Sequence, residues 1–324
     1  MFPIRDTIPS KNYPIVTHAL IAVNIICFLI QISQGRDFDH FAYLYGLVPA
    51  RYTVPQIAEY FTFGQQAFAF FSFMFLHGGF MHILGNMWFL YIFGDNVEDR
   101  LGHFRYFLFY ILCGLLSGLS HFFLNLHSSL PTIGASGAIA GVMGAYFILH
   151  PTSKILTLVP ILIIPFFFEI PAFFFIGIWF VFQFISATAS HGEVSGIAWW
   201  AHIGGFVFGI ILLKLFRAFP STGIFENLSH ATEKKKTFSL QVIRPTGPLD
   251  DLNLYGTIHI SPYEIQSGTK KLVNIPLGFQ KRFYRVAIPP GIEPGSNLRL
   301  KNLGKFRPDG QRGDLFLKVV VEER

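Results

Sequence analysis

Charge is the scarcest thing in this sequence. Asp, Glu, Lys and Arg make up 14% of its 324 residues, where soluble domains carry about 25%. Set beside 52% hydrophobic residues and 39 phenylalanines, that shortage excludes an ordinary soluble enzyme and points to a chain solvated largely by lipid. Cysteine is nearly missing as well. Only Cys27 and Cys113 occur, both inside apolar runs, which excludes a disulfide framework or a CxxC metal knuckle and leaves two small buried hydrophobes. No HExxH string occurs, and no carboxylate or thiolate joins His77, His82 and His202 into a zinc site. No metal or organic cofactor is expected. The first apolar run, Thr17 to Ile32, lacks a small-x-small cleavage site after it and reads as an uncleaved span. Internal repeats and charged residues at mid-span are also missing, which argues against a small-solute transporter.

The charge that is present is unevenly spread. Residues 1–219 hold nine basic and nine acidic residues, so the whole net charge of +6 lies in residues 220–324. A basic C-terminal third suits a domain beside an anionic membrane surface. No nucleic-acid reader motif accompanies it, and nucleic acid is not an expected partner.

A membrane-spanning helix needs about 20 mostly apolar residues. Six runs qualify or nearly do: roughly 15–33, 76–94, 104–125, 133–149, 171–188 and 197–216. The fourth is short. Between the fourth and fifth, PTSKILTLVPILIIPFFFEIP is broken by Pro160, Pro165 and Pro171, and it is expected at the interface or as a re-entrant segment rather than as a seventh span. Glu169 then lies near an interface. Basic residues gather in cytoplasmic loops. With the N-terminus inside, the inside segments carry Arg5, Lys11, Arg100, Arg105, Lys154, Lys214 and Arg217, and the outside loops only Arg36 and Arg51. Both termini are therefore expected in the cytoplasm, with the chain in a bacterial cytoplasmic membrane. The first outside loop, about 34–75, is rich in Phe and Tyr and is expected half-embedded in the interface.

After Arg217 the composition changes. Residues 218–249 are polar, with Gly, Pro and a lysine run, and read as a linker. Residues 250–324 carry short alternating strands, LNLYGTIHI, TKKLVNIP, RFYRVAIP, SNLRLKNL and DLFLKVVVEE, separated by the turn signals SP, SG, PPGIEPG and PDGQRGD. The expected fold class is thus a membrane all-α bundle of six helices over 1–217, followed by a small soluble all-β, sandwich-like domain.

Polar residues inside spans are costly and are functional candidates by default. Ser136 lies in PTIGASGAIAGVMGAY, His82 and Asn86 in the second span and His202 in the sixth. Each of Ser136, His82 and His202 falls a few residues from the outer end of its span, within about 10 Å of that boundary at 1.5 Å per residue. Gly134, Gly137, Gly141 and Gly144 share a helical stripe, and Ala201, Gly205 and Gly209 form another. Such small faces let membrane helices pack backbone to backbone, close enough here for the His202 imidazole to reach the Ser136 hydroxyl. His82 and Asn86 are four apart, share a face and can both donate hydrogen bonds to an oxyanion. The plainer alternative for each residue is structural: small stripes serve packing, and a serine in a span bonds its own carbonyls.

Taken together and in order, HGGFMHILGNMWFLYIFGDNVEDRLG, GASGAIAG and AWWAHIGGFVFG resemble the rhomboid family of intramembrane serine proteases, over about Thr7 to Arg217. The resemblance implies a six-helix bundle with a Ser–His dyad in a water-filled cavity. It implies Ser136 as nucleophile, His202 as general base, and His82, Asn86 and the Ser136 backbone N–H as oxyanion donors. His77 falls on a supporting histidine position, and Gly134, Gly137 and Gly205 support the packing. Two positions depart from the pattern. Phe68-Ala69 stands where many members carry Trp-Arg, and Ala140 where some carry a tyrosine under the histidine ring. The implied substrates are transmembrane segments of other proteins. Residues of about 250–322 resemble the C-terminal substrate-binding β-domain of DnaJ-type co-chaperones, which implies unfolded or apolar peptides as partners. His-Pro-Asp and the CxxCxGxG repeats are missing, so a role in stimulating Hsp70 is not implied. The rival reading is a non-catalytic membrane chaperone or scaffold that binds helices and unfolded tails.

Overall fold

The computed structural model describes residues 2–161, 164–189, 198–218, 232, 241–243, 245–248, 251–276, 283–306 and 310–321. The chain divides into two compact units, Met1–Lys234 and Lys235–Arg324. Most of the segment read as a linker lies outside the described residues.

The first unit opens with strand β1 (Phe2–Asp6) and helix α1 (Ile15–Ser33). The long loop that follows is mostly helical: α2 (Phe38–Tyr45), α3 (Ala50–Thr53), α4 (Pro55–Ala58) and α5 (Phe63–Ser72). Then come α6 (Phe80–Leu101), α7 (His103–Leu124), α8 (Ser136–Leu149), the strands β2 (Lys154–Ile161) and β3 (Ile164–Pro171), α9 (Ala172–Ala189) and α10 (Trp199–Ala218). Among the described residues, α1, α7, α9 and α10 are each long and apolar enough to cross a membrane. Phe63–Phe75 and α6 pass the same test only as a pair, bent by 75° at the break between them, the form of a broken span or a re-entrant segment. The protein is an integral membrane protein.

The three-proline segment forms neither a span nor an irregular re-entrant loop. It is a β-hairpin, paired from Lys154↔Pro171 to Ile161↔Ile164, and β1 adds to its edge with Phe2 opposite Leu158 and Asp6 opposite Ile155. Three further bonds fasten β1: Trp88 donates to the Pro3 carbonyl at 2.6 Å, and Asn96 and Tyr146 donate to the Asp6 carboxylate at 2.6 and 2.7 Å. Burial pushes the Asp6 carboxyl pKa up, and the Tyr146 bond draws it partly back. Glu169 pairs with Lys154 at 2.9 Å with both side chains more than half exposed, an ion pair worth under about 1 kcal/mol.

β1 and β2 can pair only on one side of the bilayer, so an even number of crossings separates them. Between the two strands lie α1, α7, the bent pair that ends in α6, and α8, a shorter apolar helix. Its 14 residues span only about 21 Å at 1.5 Å per residue. The fourth apolar run is thus helical from Ser136 rather than from Ile133.

α8 lies at the centre of the bundle and is buried from Gly137 through Tyr146. Its contact with α10 is backbone on backbone. A methyl group on Gly205 would overlap the Gly137 carbonyl, one on Gly209 the Gly141 carbonyl, and one on Gly144 the Phe206 carbonyl. Gly134 does not belong to this stripe. It precedes the helix, with φ at +135°, a conformation that glycine takes without penalty. At the opposite end of the bundle, α1 has no side-chain cap of its own. The buried Glu98 of α6 caps it instead, accepting from Val16 N, Thr17 N and Thr17 Oγ1 at 2.7–2.9 Å. A carboxylate there satisfies orphan amides and faces the positive end of the helix dipole. Glu98 also meets His103 Nδ1 at 2.5 Å, and His103 Nε2 meets Thr232 Oγ1 at 2.7 Å.

The second unit contains β4 (Gln241–Val242), β5 (Leu254–Ile260), α11 (Pro262–Ser267), β6 (Thr269–Asn274), β7 (Phe283–Ile288), β8 (Asn297–Leu300) and β9 (Leu315–Val321). The sheets β4-β6-β7 and β5-β9-β8 share one core. Alternate residues supply it: Ile258 and Ile260, Val286 and Ile288, and Leu315, Leu317 and Val319. β4 and the core residue Ile243 fall inside the segment read as linker. The SP pair is not a turn but a helix start, where Ser261 and Glu264 form a capping box and Pro262 takes the first position.

Gly205→Leu should drive α10 off α8 and destabilise the protein by about 1–3 kcal/mol or more. Gly177→Leu on α9, where an added Cβ meets nothing within 4 Å, should unfold like the wild type. Thermal unfolding of both variants in detergent checks the contrast.

Candidate active site

The site is assembled at the N-terminal ends of three helices. The chain is strapped just ahead of α8: Leu47 and Thr132 exchange backbone hydrogen bonds at 2.8 and 3.0 Å, and Gly134 N donates to the Phe73 carbonyl at 2.8 Å. Ser136 is then the first residue of α8. His202 is in the first turn of α10, and the close glycine packing brings its Nε2 to 2.7 Å from Ser136 Oγ. His82 and Asn86 extend from α6 into the same cavity of about 1370 Å³, which Ser136, Gln183 and His202 also line.

The hydrogen bonds around His82 fix its protonation. Its Nδ1 lies 3.2 Å from the Gly78 backbone nitrogen. A backbone N–H only donates, so Nδ1 accepts and Nε2 carries the proton. A methyl group on Gly134 would sit 2.9 Å from that Nε2 and 3.5 Å from Ser136 Oγ. The missing side chain at 134 therefore leaves open the space between the imidazole and the hydroxyl. Asn86 Nδ2 is buried with no hydrogen-bond partner among the described residues. His77 is fully buried, meets His82 edge to face at 5.1 Å between ring centres, and takes Gln31 Oε1 on its backbone N–H at 3.0 Å.

Three features here went unread in the sequence. Gln183 of α9 places its Oε1 2.8 Å from His202 Nδ1. The signal was present, a single amide in the apolar run GIWFVFQFISA. Aromatic packing of His202 is supplied by Trp179 and Trp199, with ring centres 6.3 and 6.1 Å away, where Ala140 offers none. The anchor of the loop over residues 34–75 is Arg51. It is fully buried, donates to the Tyr43 and Leu44 carbonyls at 2.9 Å, and lies 3.7 Å over the Phe61 ring. Burial lowers its pKa from the ordinary value. Gln66 donates to the Arg51 carbonyl at 3.1 Å and Tyr52 to the Gln66 carbonyl at 2.6 Å. These bonds hold the segment beside Phe68-Ala69. Among the described residues no group of three or more His, Cys, Asp or Glu could hold a metal.

In the second unit a pocket of about 590 Å³ is lined by Val242, Thr246, Tyr255, His259 and Phe316, among others. The Tyr255 and Phe316 rings stack 5.8 Å apart on one wall.

These features define a polytopic membrane protein whose helix ends bring a few polar side chains together in a largely apolar cavity, joined to a β-sheet unit. Residues 64–219 match the Rhomboid domain family and residues 229–323 the DnaJ C terminal domain family, and the chain carries both domains. Rhomboid-like protein 11, chloroplastic, of Arabidopsis thaliana is 24% identical over 49% of this chain and 55% of its own length. Rhomboid protein 1, mitochondrial, of Saccharomyces cerevisiae is 29% identical over 42% of this chain and 38% of its own length. Chaperone protein DnaJ of Aliarcobacter butzleri is 48% identical over 12% of this chain and 11% of its own length. The chain thus spans from about a tenth to just over half of these relatives.

Arg51→Met should leave the Tyr43 and Leu44 carbonyls unpaired, at a cost on the order of 2 kcal/mol. Limited proteolysis should then cut within residues 34–75 well below the global unfolding temperature, where the wild-type loop resists.

Proposed function

We propose that this protein is an intramembrane serine endopeptidase that cleaves transmembrane segments of other proteins. The observation that carries the reading is the 2.7 Å approach of His202 Nε2 to Ser136 Oγ inside a cavity. In this mechanism Ser136 Oγ attacks the scissile carbonyl while His202 takes its proton. The oxyanion forms in the space beside Gly134, where His82 Nε2–H and Asn86 Nδ2–H can donate. The Ser136 backbone N–H, which as the first of α8 has no intrahelical acceptor, adds a third donor and the positive end of the helix dipole. His202 returns the proton to the leaving amine. Water then attacks the acyl-enzyme by the same route in reverse. A helical substrate offers no free peptide bond, so cleavage requires local unwinding, and helix-breaking residues near the cavity end of the substrate favour it.

In this reading both termini lie in the cytoplasm, in agreement with seven basic residues on that side against two. The membrane is the bacterial cytoplasmic membrane. The DnaJ C terminal domain is a peptide-binding accessory that holds unfolded or apolar cytosolic segments of substrates, and its pocket offers them two stacked rings, Tyr255 and Phe316, beside polar side chains such as His259 and Lys318. It supplies no catalytic group.

A fluorophosphonate or isocoumarin probe should label the wild-type protein, and Ser136→Ala should abolish both labelling and cleavage while leaving thermal unfolding unchanged. An intact protein that takes no label would be a non-catalytic scaffold. Deletion of residues 235–324 should leave cleavage of a model transmembrane substrate in detergent near the wild-type rate. In membranes the same deletion should slow substrates with a long apolar cytosolic tail more than tailless ones, because tethering raises effective concentration. Equal loss for both substrates would overturn the accessory role.

A further inference from the structure

We propose that Gln183 is a positioning residue that fixes the tautomer and the ring plane of His202. The proposal rests on the reading of His202 as general base. It begins from the two hydrogen bonds of the imidazole, Nε2 to Ser136 Oγ at 2.7 Å and Nδ1 to Gln183 at 2.8 Å. Either ring nitrogen of a neutral histidine can hold the proton, and only one arrangement leaves Nε2 free to accept from serine.

The amide of Gln183 decides between them. One end of it faces the carbonyl of Trp179, one helical turn earlier, at 3.4 Å. A carbonyl oxygen only accepts, so the NH₂ group must face it, and Oε1 must face the imidazole. Reversing the amide would set two oxygens against each other at Trp179. With Oε1 towards His202, Nδ1 must carry a proton, and Nε2 is left with its lone pair on Ser136. The relay is therefore directional: Ser136 O–H donates to His202, His202 Nδ1–H donates to Gln183, and Gln183 N–H donates to the backbone of α9.

The placement of Gln183 supports this role over a packing one. Its side chain is 93% buried on a helix whose neighbouring residues Phe182, Phe184 and Ile185 are exposed at 51–66%. Burying a primary amide in such a helix is unfavourable unless its hydrogen bonds are made, and among the described residues Trp179 and His202 supply them. Trp179, which shares its face, packs its indole ring 6.3 Å from the imidazole. The amide thus holds the ring at Nδ1, and the indole lies beside it, tilted by 31°. Because the amide is neutral, it stabilises the imidazolium formed during proton transfer only through its dipole. A carboxylate at the same place would add a full charge.

The test uses full-length protein in detergent, with Gln183→Leu, Gln183→Glu, His202→Ala and the wild type, and the thermal unfolding of each. Gln183→Leu should lower kcat by about 10–100-fold with KM within about twofold, and should slow fluorophosphonate labelling of Ser136 in parallel. Gln183→Glu keeps an acceptor at Nδ1. It should recover most of the lost kcat and move the acidic limb of the kcat/KM profile to higher pH, a change that repaired packing alone would not produce. If Gln183→Leu does not fold, the Gln183→Glu profile decides alone. A Gln183→Leu enzyme with wild-type kcat, or a Gln183→Glu profile that overlays the wild type, overturns the proposal while His202→Ala remains inactive. An active His202→Ala enzyme would instead overturn the assignment of the base.

Discussion

Everything at the cavity depends on how closely two backbones approach. Where Gly205 meets the Gly137 carbonyl and Gly209 the Gly141 carbonyl, no side chain separates α10 from α8. Helices in lipid gain little from excluding water, so van der Waals contact over such small-residue faces is the main attraction between them. A hydrogen bond from serine to imidazole tolerates only a few tenths of an ångström. The same glycines that hold the helices together thus also set the length of that bond. Fit and stability cannot be tuned separately here.

The two ends of the bundle treat polar groups differently. At the closed end, Glu98 is fully engaged by α1 amides, a hydroxyl and His103. A buried carboxylate so satisfied adds rigidity and offers nothing to a ligand. At the cavity end, Asn86 Nδ2 has no protein partner among the described residues, and the proton of His82 Nε2 points into open space. Donors left unused beside a nucleophile are what an incoming carbonyl requires.

Much of this arrangement was legible in the sequence because polar residues stand out in apolar runs. Ser136, His82, Asn86 and His202 were visible for that reason, and the glycine spacing indicated which helices must touch. Gln183 had the same visibility. What was missing was the rotation of α9 about its own axis, since its run is apolar on every side and no stripe marks an inward face. Arg51 was hidden differently. It lies in a polar-looking loop, and its partners are backbone carbonyls, which no sequence pattern reports. The hairpin of Lys154–Pro171 read as an interfacial segment because its prolines break a helix, while its partner strand, Phe2–Asp6, lies about 150 residues earlier in the chain. Gly134 was assigned to the helix by spacing alone, whereas its positive φ places it in the turn that starts the helix. In the second unit, alternation located every strand from β5 to β9. The pairing of β4 with β6 rests on two residues, Gln241 and Val242, too few to show a period.

The pairing of Phe2–Asp6 with Lys154–Ile161 also orders events in time. β1 leaves the ribosome first, yet its partner emerges only after α1, α6, α7 and α8 have been made. At about 5–20 residues per second, the first strand waits some ten to thirty seconds with its edge unpaired. It can pair only if the intervening helices have crossed an even number of times. A chain with one crossing too few or too many between them would hold β1 and β2 on opposite faces of the bilayer, and Trp88, Asn96 and Tyr146 would lack the partners they find on β1. Closure of this small sheet is therefore a late report on the helices made between β1 and β2.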